Sequence, residues 1–130
     1  LMEDYSAEYN IQYDWVLQLR FDLIFYQKFN LFELDPSYFY APSRSKDHGE
    51  AVDDLWFLSS QQNAILFSTL YDRIFEYSIR PPYASKQHLD YCNVPYKELF
   101  KIHSDFNLIR YTNSDQSILS KVKTKLRAIF

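Results

Sequence analysis

Glycine is nearly missing from this chain: Gly49 is the only one in 130 residues, where average usage would supply about nine. Gly-x-Gly-x-x-Gly fingerprints and P-loops need several glycines to bring the backbone close to phosphate, so a self-contained Rossmann or Walker nucleotide site is excluded by composition. Collagen-like repeats, Gly-rich linkers and low-complexity disorder fall with the same count. Cys92 is the sole cysteine; no internal disulfide can form, which fits a reducing compartment and favours the cytoplasm. Positive charge is also short: 14 Lys and Arg against 17 Asp and Glu give a net charge of −3. With no run of five like charges, there is no electrostatic footprint for nucleic acid. No apolar stretch reaches the ~18 residues of a spanning helix, and no charged-then-apolar leader opens the chain.

Aromatic residues are abundant: 12 Tyr, 11 Phe and 2 Trp. That density is too high for a disordered chain and is enough to fill one core of ordinary size. One domain over 1–130 is expected.

Local patterning predicts strands and helices in alternation. Met2, Tyr5 and Tyr9 have helical spacing, and the helix should end near Asn10. From Asp14 to Leu23 the chain alternates, with Trp15, Leu17, Leu19 and Phe21 on one face and Asp14, Val16, Gln18, Arg20 and Asp22 on the other; period two means a strand. Asp35-Pro36-Ser37 is a turn signal, and Tyr38 to Ala41 reads as a strand closed by Pro42. The polar stretch Ser43 to Glu50 holds the only glycine and reads as a surface loop. Asp53 to Leu58 reads as a strand feeding a helix capped by Ser59 with Gln62; Ala64, Phe67, Tyr71, Ile74 and Tyr77 continue it to Pro81-Pro82. A short helix over Lys86 to Tyr91, strands over Tyr96 to Ile102 and Asn107 to Thr112, and an amphipathic helix over Ser114 to Phe130 complete the reading. The fold class is α/β, or α+β, with a mixed sheet flanked by helices.

Few side-chain groups carry chemistry. Arg20 and Asp22 share one face of a strand about 7 Å apart. Asp22 could hold a divalent cation while Arg20 meets a phosphate, because carboxylate oxygen suits Mg or Mn and guanidinium suits a diphosphate; the plain alternative is an ion pair on a half-exposed strand. Asp53-Asp54 precedes a strand and a helix N-terminus, where a carboxylate can act as general base or orient a sugar hydroxyl. Adjacent acids on a strand point to opposite faces, so at most one looks into a given pocket. Trp56 and Phe57 follow, either as a platform for a sugar ring or as core. His48, His88, His103 and Cys92 match no zinc spacing, although His88 and Cys92 can share a helical face. No Gly-x-Ser-x-Gly elbow exists, so hydrolase chemistry has no support.

Three blocks, taken in order, resemble the later part of GT-A-like glycosyltransferases of polysaccharide-biosynthesis and viral type. They are Tyr13-Asp14-Trp15-Val16-Leu17-Gln18-Leu19-Arg20-Phe21-Asp22-Leu23, then Asp53-Asp54-Leu55-Trp56-Phe57-Leu58-Ser59-Ser60, then Ser104-Asp105-Phe106-Asn107-Leu108-Ile109-Arg110. The resemblance implies transfer of a sugar from a nucleotide-sugar donor to a glycan or other acceptor hydroxyl, usually assisted by Mn²⁺ or Mg²⁺. It implies Asp22 as the metal- or diphosphate-facing acid and Arg20 beside the diphosphate. Asp54 would be the catalytic group facing donor sugar or acceptor, with Asp53 and Trp56 at the substrate. The usual Asp-x-Asp is Arg20-Phe21-Asp22 here, leaving one carboxylate for a metal. The resemblance also implies a nucleotide-binding βαβ half before Tyr13, in a larger enzyme of which 1–130 is the C-terminal part. A non-catalytic carbohydrate- or protein-binding module is the alternative.

Overall fold

The computed structural model describes residues 2–43 and 51–109. The loop around Gly49, the residues from Arg110 onward and the amphipathic stretch from Ser114 lie outside the described residues. The fold is α/β. Helix α1 (Met2–Tyr9) is followed by strands β1 (Val16–Leu19), β2 (Leu23–Phe25), β3 (Phe39–Ser43) and β4 (Trp56–Ser59). Then come α2 (Gln61–Ser68), a 3-10 segment (Thr69–Glu76), α3 (Pro81–Tyr91), β5 (Tyr96–Lys101) and β6 (Phe106–Leu108).

Four strands form a mixed sheet in the order β1-β4-β3-β5, and β2 pairs with β6 in a separate ribbon. Strand β4 runs antiparallel to both β1 and β3, whereas β5 is parallel to β3. A parallel neighbour needs a crossover, and α2, the 3-10 segment and α3 supply it. The β3–β5 register slips between Ala41 and Ser43, at Pro42, which has no N–H to give to the ladder.

Strand alternation sorts the core into two layers. Phe39, Ala41 and Phe57 point to the helix side, where they pack with Val52, Leu89 and Phe67. Tyr40, Trp56 and Leu58 point the other way, onto Phe106 of the β2–β6 ribbon and the loop around Phe29. There the aromatic excess is used: Phe29 lies 4.7 Å from Phe100 and edge-on to Trp56 at 5.4 Å, and Phe25 stacks on Phe106 at 5.8 Å. Such pairs add roughly 0.5–1.5 kcal/mol each beyond area burial.

The shortage of glycine has a backbone counterpart. Among the described residues, Asn10, Asn93, Phe100 and His103 are left-handed. Asparagine tolerates this region, and Asn10 ends α1 in it. Phe100 at φ 62° does not; a bulky residue there costs on the order of 1–3 kcal/mol, which is offset by packing its ring against Phe29 and Trp56.

Several expected boundaries move. The cap of α2 is Ser60, whose hydroxyl accepts from the Asn63 N–H at 3.3 Å, while Ser59 ends β4. The α-helix stops at Ser68 rather than at the prolines. Ser68 and Thr69 donate their hydroxyls to the Ile65 and Leu66 carbonyls, competing with the helical backbone, and the chain continues as a 3-10 helix. Pro81 and Pro82 open α3 instead of ending α2, because an N-terminal proline loses no helical hydrogen bond. Strand β1 is also shorter than expected, and its apolar face is not buried: Leu17 and Leu19 are largely exposed and Phe21 fully so. As the outermost strand, β1 lies beyond the reach of the ribbon that covers Trp56.

Candidate functional site at the β1–β4 corner

The antiparallel register pairs Leu19 with Trp56 and Gln18 with Phe57. The residues leaving β1 therefore run beside those entering β4, which brings Arg20 next to Asp54 and Leu55. A cavity of about 330 Å³ opens at this corner, lined by Gln18, Leu19, Arg20, Asp54, Leu55, Trp56 and Phe57 from the sheet and Phe67, Ser68, Leu70 and Tyr71 from the helix layer. It is mainly apolar, with an amide, a guanidinium and a carboxylate gathered on the sheet side.

Arg20 grips Asp22 at two points, with Nε 2.9 Å from Oδ1 and Nη2 2.7 Å from Oδ2. These hydrogen bonds and the Asp22 charge hold the guanidinium even more firmly protonated than usual, and the charge of Asp54 adds to the effect. The third motif block meets the same corner, since the Ile109 N–H donates to the Asp22 carbonyl at 2.7 Å and Leu108 pairs with Leu23. Arg20, Asp22 and Asp54 thus stand at one edge of the sheet.

The other two expected substrate residues lie elsewhere. Asp53 is only 4% exposed and takes no part in lining the cavity, while Asp54 is exposed and lines it; both precede β4, which begins at Trp56 rather than at Asp53 as the sequence suggested. Trp56 borders the cavity only along the strand, because its indole is fully buried on the opposite face among Phe25, Phe29, Phe100 and Phe106. The Trp56 ring is part of the core. The ring at the cavity mouth is that of Tyr71, 80% exposed.

For a divalent cation the described residues do not assemble a donor set. Both Asp22 oxygens hold Arg20, and no group of three His, Cys, Asp or Glu side chains with metal-binding geometry occurs among the described residues. No described helix is long and apolar enough to cross a membrane.

A second polar cluster escaped sequence reasoning except for the helical spacing of His88 and Cys92. His88, fully buried, places Nε2 3.0 Å from the Leu66 carbonyl, 3.2 Å from Thr69 Oγ1 and 3.5 Å from Cys92 Sγ; its Nδ1 is 2.9 Å from Tyr77 Oη. A carbonyl only accepts, so Nε2 carries a hydrogen, and Nδ1 shares a hydrogen bond with Tyr77 Oη. Nε2 thus has no lone pair for the Cys92 proton, and burial pushes the thiol up. The Cys-His pair is no activated nucleophile. It fastens the 3-10 segment to α3, helped by Arg73, which stacks 3.8 Å over the Tyr91 ring.

Comparison of the chain with protein-family models, with curated proteins and with solved structures finds no match.

Proposed function

We propose that this chain carries the sugar-handling corner of a nucleotide-sugar glycosyltransferase, which moves a sugar from a nucleoside diphosphate to an acceptor hydroxyl. One observation supports the reading above the rest: three motif blocks separated along the chain meet at one corner. Arg20-Phe21-Asp22 lies beside Asp54, and Asp22 is bonded to Ile109. In this reading the acceptor oxygen bonds to the anomeric carbon while the bond from that carbon to the diphosphate oxygen breaks. The hydroxyl proton passes to the Asp54 carboxylate, and the nucleoside diphosphate leaves. Arg20 balances the charge of the leaving diphosphate, a role suited to a planar fork that never loses its proton. Asp22 sets the direction of that fork. Asp53 and Trp56 act through the fold, without touching sugar.

The test is calorimetry and turnover with UDP- and GDP-sugars on the full-length protein, with and without Mn²⁺, for wild type, Asp22→Asn, Arg20→Ala and Asp54→Asn. Asp54→Asn should keep donor affinity and lose turnover by about 10²–10⁴-fold, the usual contribution of a positioned base. Arg20→Ala should weaken donor binding. Unchanged binding and turnover in all three variants overturns the reading.

The commitment of both Asp22 oxygens to Arg20 favours a second reading, a carbohydrate-binding module without catalysis. Selective binding on a glycan array, unaffected by nucleotide, identifies it.

A further inference from the structure

Strand β1 is the outermost strand of the sheet, and one of its faces is bare. Its register sets Leu17 opposite Leu58 and Leu19 opposite Trp56, and partners across an antiparallel ladder place their side chains on the same face. Leu58 and Trp56 are buried there with Phe106, and Trp15, two residues before Leu17, packs against the same layer. Leu17 and Leu19 therefore carry the ribbon-side core one strand further. They are nevertheless 41% and 50% exposed, and Phe21 just beyond them is fully exposed. The described part of the chain ends beside them. The β2–β6 ladder runs one step past Leu108, where the Ile109 N–H meets the Asp22 carbonyl, and Asp22 directly follows Phe21.

We propose that residues 110–130 of this chain, which lie outside the described residues, cover this face and lay Ile118, Leu119, Val122 and Leu126 over Leu17 and Leu19. Position and reach select this occupant first. The segment starts from Ile109, tied to Asp22 at the end of the bare face. The stretch from Ile109 to Ile118 extends to about 30 Å at most, and β1 is only about 13 Å long, so all of β1 is within reach. Pattern and charge agree. The four apolar residues recur at the spacing of one helical stripe. Residues 110–130 hold five Lys and Arg and one Asp, whereas residues 1–109 hold nine Lys and Arg and sixteen acids; opposite net charges favour the contact. Size argues against a separate chain, because three side chains fall short of the roughly 800 Å² per partner of a stable interface. A tethered segment is present at an effective concentration on the order of millimolar, so a small apolar patch is enough to hold it. Covering the patch also shields a sheet edge that is otherwise open to pairing with other chains.

Two measurements on the full chain test this. The first is paramagnetic broadening by NMR, with a nitroxide on Ser120→Cys in a Cys92→Ser background, so that the label has a single attachment point. The label should broaden the Leu17 and Leu19 methyl signals far more than those of Leu89, which is buried on the helix side of the sheet. The effect should disappear in Val122→Ser/Leu126→Ser. The second is limited trypsin digestion of the otherwise native chain, read by mass spectrometry. Cleavage after Lys121, Lys123 and Lys125 should be at least about tenfold faster in Leu17→Ser/Leu19→Ser and in Val122→Ser/Leu126→Ser than in wild type, because proteolysis follows the population of the open form. Cleavage after Lys28, an exposed site away from the contact, should keep its rate. Leu17 and Leu19 signals untouched by the label overturn the proposal, as do equal trypsin rates in all three chains. Broadening that appears only when labelled chains are mixed with isotope-enriched unlabelled ones assigns the face to a second copy and overturns it as well.

Discussion

At the scale of single residues, Arg20 and Cys92 both stand apart from their ordinary behaviour, and they owe it to opposite causes. Arg20 is stabilised in its charged form by Asp22, in the open, through geometry. Cys92 is held in its neutral form by burial, which outweighs the opposing pulls of the Thr69 hydroxyl and the Arg73 charge. Only the thiolate reacts with alkylating reagents, so the sign of the effect is fixed: the folded protein should be alkylated more slowly than its unfolded chain at pH 8. The midpoint of the pH–rate curve should lie above the ordinary thiol value of about 8.5. Because Cys92 is the only cysteine, total iodoacetamide incorporation reports this site alone, and urea should restore the ordinary rate. Equal rates in folded and unfolded protein would remove burial as the controlling term. Nothing in the sequence around Cys92 announces this environment, since Thr69 and Leu66 reach it from more than twenty residues away.

At the scale of elements, the sequence was legible in period and ambiguous in boundary, and α2 shows why. Apolar residues recurring at three and four are the pattern of an α-helix, and Ala64, Phe67, Tyr71 and Ile74 keep it past the point where the α-helix stops at Ser68, so spacing alone did not show the end. The decisive groups were the hydroxyls of Ser68 and Thr69, which take helical carbonyls for themselves. Two neighbouring serines likewise left the cap open, because either could serve; β4 keeps pairing through Ser59, opposite Val16, and so hands the cap to Ser60. Ser60→Ala should therefore destabilise the protein by about 1 kcal/mol. Gln62→Ala, which removes an exposed side chain outside the observed cap, should stay within roughly 0.5 kcal/mol. Urea unfolding of the two variants side by side checks the assignment, and the reverse order would return the cap to Ser59. In β1 the alternation marked the strand but not its place: period two does not say whether a strand lies at the centre or the edge of a sheet, and on this edge strand Leu17, Leu19 and Phe21 are exposed.

At the scale of the whole molecule, the corner depends on a contact between segments far apart in the chain. The β2–β6 ribbon is only three residues long on each side, too short to persist alone. It is held by Phe106, fully buried against Trp56 and Phe25 on the far face of the sheet. The aromatic layer and the polar corner are therefore one construction: Phe106 docks the ribbon, the ribbon carries Ile109, and the Ile109 N–H closes on the Asp22 carbonyl at 2.7 Å, beside the Arg20 grip. The motif blocks could be read from the sequence, whereas their convergence could not, because it is set by strand order and by a ribbon pairing that no local pattern encodes. Replacing Phe106 by alanine removes a fully buried ring and should cost about 3–5 kcal/mol. If the corner depends on the ribbon, the same substitution should release the Ile109 amide. In hydrogen exchange Ile109 should be protected in wild type and close to unprotected in Phe106→Ala, with the β3 amides less affected. Leu108→Ala, which trims a half-buried ribbon side chain without removing the Phe106 anchor, should lower Ile109 protection only partly. Protection of Ile109 that survives Phe106→Ala in a folded protein would detach the corner from the aromatic layer and leave β1 and β4 to hold it alone.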